Sequence, residues 1–364
     1  PVFALIFSTC ALVAGHLADM WPRVRSLVAA TMLWAAATAG VFWATAYWQL
    51  VLLRMVQAVG EAACAPLSTS IIASTFPTQS RGSALAVWSL GIYVGFGAAF
   101  GAGNKLVAHH GYRSMFLWFS LPSVVVGAAR LPPLTCPLTH THTQSARPVV
   151  ISSTTPQRAS YGETLKLMWG TPGIALLFLA SSVRNGAGIC WAYQSNLFFE
   201  TVLHQTPAQI AAWMSWIPVV AGGLGAVAGG FVSDKLQAHG GPSARFLVLI
   251  MSQLLAAPMA LGVLLLPAPY GYLMLIGCNV VGEAWIAVAV TICVDAVPSN
   301  CVGRGASLYY FAINVLGGNM PLLVSPLSST WSLKTALIVL YPGMYVLSAV
   351  LFFVTWQLHR KRRK

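Results

Sequence analysis

Gly15-His16-Leu17-Ala18-Asp19, with Arg23 and Arg25 just beyond it, returns 215 residues later as Gly230-Phe231-Val232-Ser233-Asp234-Lys235 followed by Arg245. Each copy closes one apolar block and opens the next. Two further markers keep the same order: Gly60-Glu61-Ala62 returns as Gly282-Glu283-Ala284 at an offset of 222, and Arg81-Gly82 returns as Arg304-Gly305 at an offset of 223. Three markers in constant order at nearly constant spacing predict two halves of one design, related by duplication.

The blocks between the markers identify the solvent. The chain is 57% hydrophobic and only 7% charged, with a mean hydropathy of +0.73, whereas soluble domains carry about a quarter charged residues. Its apolar blocks run about 20 to 27 residues without the alternation of barrel strands, so they predict membrane-crossing helices. Eleven spans are expected, at about 1–15, 27–46, 49–75, 83–107, 114–134, 168–198, 207–232, 246–267, 270–296, 305–328 and 332–358. The segment Thr135 to Glu163, rich in Thr, Ser, His and Pro, reads as a flexible linker. Equal halves then place the first span second in a twelve-helix scheme, with helix 1 missing from this chain. The expected units are a first bundle at 1–134, a linker at 135–166, a second bundle at 167–358 and a basic tail at 359–364.

The net charge of +13 sits in joints and tail rather than on one soluble face, which argues against a nucleic-acid partner. Fifteen Lys and Arg fall on the linker and tail side of the spans and three on the other, which predicts a cytoplasmic linker and C-terminus in a multi-pass protein of the plasma or endolysosomal membrane. The cysteines form no CxxC pair, and His109, His110, His140 and His142 have no carboxylate neighbours, so no metal site is expected. Neither a Gly-rich phosphate loop nor a nucleophile elbow or triad is present, so the chain is expected to be no enzyme and to need no cofactor.

Ionisable groups inside spans are costly unless they face a cavity or a partner. Arg54 and Glu61 lie two turns apart on one helical face, Glu61 about 18 Å from the outer end of its span. Arg184 with Asn185, and Glu283, fall at similar depth, and Arg184 and Glu283 suit a cross-helix pair. These five, with Tyr193 and Asn314, are the candidate substrate and coupling residues; Gln194, Asn279 and Asn319 are weaker candidates, better read as satisfied polar core. Gly15, Asp19, Arg23, Arg25, Arg81, Asp234, Lys235 and Arg304 form a candidate conformational latch, in which Asp19 caps a neighbouring helix and pairs with an Arg such as Arg81.

The Gly15 to Arg25 joint resembles the major facilitator signature G-x-L-a-D-r-x-G-r-[KR], departing at Met20 and Val24. Within that superfamily, Arg54 through Ala62 resembles the Spinster family of lipid transporters, as do Leu255-Ala256-Ala257-Pro258, Gly222 to Leu236 and Gly282-Glu283. The resemblance implies two pseudo-symmetric helix bundles and alternating-access transport of a lysophospholipid or sphingolipid, with protons as a proposed coupling ion. It gives Arg54 and Glu61 the key cavity roles. The chain departs from that family at Asn314-Val315-Leu316-Gly317-Gly318, where a His-Leu-Leu-Gly-Asp pattern is usual, and at Tyr193, where Pro is usual. A carrier of organic anions or sugars is the alternative within transport, and a non-transporting receptor or scaffold the alternative outside it.

Overall fold

The computed structural model describes residues 2–130, 161–171, 173–299 and 301–361. Linker residues 135–160, with His140 and His142, and the end of the tail lie outside them. Among the described residues the regular structure is all helical. The first half holds α1 (Val2–Met20), α2 (Arg23–Trp43), α3 (Tyr47–Thr75), α4 (81–110) and α5 (112–130). A short helix, α6 (Tyr161–Trp169), precedes the second half, which holds α7 (Ile174–Thr201), α8 (Pro207–Gly240), α9 (Pro242–Leu265), α10 (Ala268–Asp295), α11 (Val302–Thr330) and α12 (Leu333–Arg360). Eight of these are long and apolar enough to cross a membrane. Large apolar side chains such as Trp118, Val125, Leu255 and Phe353 stand exposed on the outside, as suits a protein whose solvent is lipid.

Two expected boundaries move. The joint between the fourth and fifth spans is a single residue: α4 continues through a π turn at Ala99–Gly103, and the chain reverses at Gly111, whose φ of 77° and ψ of 164° only glycine adopts cheaply. The seventh helix starts at Ile174 rather than 168, because Gly173, at φ 88°, separates it from α6. Glu163 and Lys166 consequently belong to α6, which buries Thr164 and Met168 and exposes Leu165 and Trp169.

The duplicated Gly-Glu-Ala marker falls at a helix interruption in both halves. In α3 the helices Tyr47–Ala62 and Cys64–Thr75 meet at Ala63, two residues after Glu61. Pro66 lacks the N–H that would bond the Ala62 carbonyl, which accounts for that break. In α10 the helix ending at Gly282 passes into a 3₁₀ turn at Glu283–Trp285 before resuming at Ile286. Further π turns interrupt α8 at Pro218–Gly222, α11 at Ile313–Gly317 and α12 at Val339–Gly343, a pattern common where helices carry function.

The halves meet along α1 with α11 and along α4 with α8, and glycines set the distance of both crossings. A Cβ on Gly303 would lie 2.8 Å from the Gly15 carbonyl, and one on Gly230 would lie 2.7 Å from the Gly82 carbonyl. Each is below any real Cβ contact, so backbone runs against backbone here. A core through Leu85, Ala86, Val288, Cys293 and Tyr309 spans both halves.

Candidate functional site

The two crossings bring each half's aspartate onto a helix of the other. Asp19, at the end of α1, accepts the backbone N–H groups of Gly303 at 2.9 Å and Arg304 at 3.0 Å, at the start of α11. Asp234, in the last turns of α8, accepts the N–H of Gly82 at 3.2 Å, and the N–H and hydroxyl of Ser83 at 2.7 and 2.6 Å, at the start of α4. A carboxylate on the exposed N–H groups of a first turn satisfies orphan donors and opposes the helix dipole. Residues of the expected latch thus form a reciprocal pair of caps, each made across the boundary between the halves.

The cationic partners differ from the expected ones. Asp19 pairs with Arg304 at 3.8 Å, and Arg304 Nε donates to His16 Nδ1 at 3.1 Å. Arg81 instead pairs with Asp295 at the end of α10 and donates to the Ala73 carbonyl. The reason is placement: the start of α4 faces the α8 and α10 ends, while α1 faces the start of α11. Arg23 binds within its own half, donating to the carbonyls of Ala18 at 3.0 Å and Ser70 at 3.2 Å. Arg25 and Lys235 are exposed and stand outside the latch. Their place is taken by Arg245, only 1% exposed, which pairs with Asp234 at 2.9 Å and donates to the Thr78 carbonyl at 2.7 Å. Tyr161 of α6 adds a peg, its hydroxyl bonded to the Leu12 carbonyl in one half and 3.2 Å from Ser307 Oγ in the other. Burial pushes its phenol pKa up, so it stays a donor.

Halfway up, a second link crosses the boundary. Arg184 of α7, fully buried, donates from Nη2 to the Gly282 carbonyl at 2.9 Å and to Glu283 Oε1 at 3.1 Å. The 3₁₀ turn frees that carbonyl, and Gln253 also reaches it at 3.4 Å. The guanidinium lies 4.3 Å from the Tyr345 ring centroid and 5.3 Å from that of Trp285. Tyr93 of α4 then donates its hydroxyl to Glu283 Oε2 at 2.8 Å. Counted from Arg81 and from Asp295, Tyr93 and Glu283 both lie about 18 Å from the linker-side ends, near mid-bilayer.

Arg54 and Glu61 are not among the ion pairs of the described residues, which are Arg81–Asp295, Arg184–Glu283, Arg245–Asp234 and Arg304–Asp19. Arg54 is exposed, donates to Gln57 Oε1 at 3.2 Å and lies 4.8 Å above the Phe116 ring of α5. Seven residues of helix, about 10 Å, hold the two charges apart. Asn185 donates to the Ile313 carbonyl at the α11 π turn at 3.0 Å. Asn314, Asn279 and Asn319 bond carbonyls four residues back in their own helices. Tyr193 is 74% exposed and takes no part in the central network. Among the described residues no His, Cys, Asp or Glu cluster suits a metal ion.

Sequence reasoning does not single out Tyr93, Asp295 or Tyr161, and it places Arg245 in the duplicated marker without giving it a role in the latch. The rarity of acids was the available signal: of seven in the chain, four take the ion pairs, and Asp295 was the one passed over.

Comparison with known proteins gives the frame for this geometry. The chain is similar to the MFS-type transporter oryF of Aspergillus oryzae, 29% identical over 41% of the chain and 30% of the relative. It is also similar to a putative metabolite transport protein of Haemophilus influenzae, 31% identical over 30% of the chain and 27% of the relative. A probable chloroplastic anion transporter 2 of Oryza sativa subsp. japonica is 24% identical over 66% of the chain and 45% of the relative. The matched segments thus span under half the length of each of these relatives. Among solved structures, FucP in its outward conformation aligns with a TM-score of 0.71 at 15% identity, over 98% of this chain and 88% of the other. The human organic anion transporter MFSD10 aligns at 0.73 and 15% identity, over 96% and 82%. A bacterial homologue of the lysosomal transporter Spinster, inward-facing and unoccupied, aligns at 0.65 and 18%, over 99% and 86%. At these identities the likeness is one of fold. The Major Facilitator Superfamily model matches residues 2–320, and the chain, with its duplicated spans and reciprocal caps, belongs to that superfamily.

Proposed function

We propose that the protein is a secondary transporter working by alternating access, and that the structure is its state closed on the linker side. The observation that carries this reading is the pair of reciprocal aspartate caps, one from each half onto the other. Two like bundles joined through a few polar bonds at one end can rock apart there and close at the other. The central Arg184–Glu283–Tyr93 link supplies a carboxylate at mid-depth, where substrate or a proton can reach it only by opening the boundary. The linker and tail are assigned to the cytoplasm on their Lys and Arg bias.

For substrate, the reading is a lysophospholipid or sphingolipid. Its support is Arg54, an exposed guanidinium over an aromatic ring on a helix whose Arg, Gly-Glu-Ala spacing resembles Spinster proteins. Such a group suits a phosphate beside an apolar chain. Organic anions are the second reading, favoured by relatives described as anion and metabolite transporters.

The test is flux into reconstituted vesicles of labelled lysophospholipid, organic anion or sugar, with and without a pH gradient. Lysolipid uptake that falls at least tenfold in Arg54→Ala supports the first reading. Anion uptake alone supports the second. Absence of flux for all three substrates leaves the scaffold alternative and sinks the proposal.

A further inference from the structure

A cavity of about 380 Å³ lies on the linker side between the halves, lined by Arg23, Ser70, Thr78 and Arg81 of the first and by Asp295 and Ser299 of the second. Its volume falls within the range of small-molecule sites, about 300–1,000 Å³. It is separate from the Arg184–Glu283 network.

The hydrogen-bond inventory of the walls is lopsided. Asp295, the one carboxylate present, is engaged by Arg81. The donors are not used up. Arg81 Nε is buried with no partner. Ser70, 0% exposed, has a hydroxyl with no partner, although its carbonyl accepts from Arg23. Arg23, which also lines the cavity, spends Nε on Ala18 and Nη1 on Ser70. Two guanidinium groups against one carboxylate leave the walls positive. A buried donor without an acceptor costs about 1–3 kcal/mol in general, so walls that hold two of them together with two guanidinium groups are short of acceptor oxygens.

We infer that this cavity binds a phosphate-bearing anion, as free phosphate or as a lipid phosphomonoester headgroup, and that the bound anion holds the linker side closed. Phosphate supplies several acceptor oxygens and suits guanidinium recognition. The closing effect follows from the lining: both halves wall the cavity, so an anion seated between them is lost when the halves part, and mass action favours the closed state. The closing effect rests on the alternating-access reading above, whereas anion binding is measured without any transported substrate.

The experiment uses the full chain in nanodiscs of phosphatidylcholine. One arm titrates inorganic phosphate against chloride at equal ionic strength. The other replaces part of the lipid by phosphatidic acid in phosphate-free buffer. The readout is the melting temperature. A saturable rise in the first arm assigns the site to free phosphate, and a rise only in the second assigns it to a headgroup. Arg23→Gln and Ser70→Ala are each expected to weaken the response at least tenfold in midpoint, and Ser70→Ala is small enough to keep the fold. Arg25→Gln removes the same charge from an exposed neighbour outside the cavity and is expected to leave the midpoint unchanged. No rise in either arm, or an equal loss in Arg25→Gln and Arg23→Gln, overturns the inference.

Discussion

Tyr93 donates its hydroxyl to Glu283 Oε2 at 2.8 Å, so a residue of the first bundle is bonded to the carboxylate that Arg184 holds in the second. Tyr93→Phe removes that bond and little else. A hydrogen bond to a charged group is worth about 1.5–3 kcal/mol, so the closed state should lose at least tenfold in population. Spin labels at Arg25 and Lys235, both exposed and on opposite halves, should report longer distances in the variant. Unchanged distances would mean that Tyr93 packs without latching.

The two aspartate caps are not equal. Asp234 takes three bonds from Gly82 and Ser83 and pairs with a buried arginine at 2.9 Å, while Asp19 takes two and stands 3.8 Å from its arginine. Asp234→Ala leaves the buried Arg245 hydrogen-bonded only to neutral acceptors, with Asp295 as the remaining nearby carboxylate. Both pairs are buried, but only Asp234 meets its arginine at hydrogen-bond distance, so its loss forfeits the closer pair and one more cap bond. Asp234→Ala should therefore melt lower than Asp19→Ala, and the reverse order would refute this ranking.

Backbone contact at the crossings makes Gly303→Ala and Gly230→Ala disruptive, since neither carbonyl opposite can yield as a side chain end would. Both variants should open the linker side, read as faster labelling of cysteines introduced at Ser83 and Ser307. Gly91→Ala is the control, because its Cβ meets nothing within 4 Å; gating as strongly altered there would count against the steric account.

Arg184→Ala leaves Glu283 with Tyr93 alone and the Gly282 carbonyl with only the longer Gln253 bond, and should cost about 3–5 kcal/mol. Lys keeps the charge but cannot span two acceptors from one planar group, so Arg184→Lys should fall between. Adding Glu283→Gln to Arg184→Ala should recover part of the loss. A double variant no more stable than the single one would show that packing against Tyr345, rather than charge, sets the cost.

Much of this was legible in the residues. Long apolar blocks mark the spans, because hydrocarbon leaves the backbone few alternatives, and the Gly15/Gly230 repeat marks both crossings. The pairing of Arg184 with Glu283 followed from rarity and depth. What the linear order hides is which helix end faces which: Asp19 was matched to Arg81 on general proximity, but the caps run between α1 and α11 and between α8 and α4. Tyr93 was silent for a different reason. A tyrosine in an apolar span looks like ordinary core until its partner's position is known.

Tyr161 reaches both Leu12 and Ser307 from a helix continuous in sequence with the second half. Severing the polypeptide upstream of it would therefore leave this dowel attached to the later fragment, already shaped for its socket in the earlier one. The bonds that join the halves lie on their facing surfaces, so a break in the linker would cut none of them.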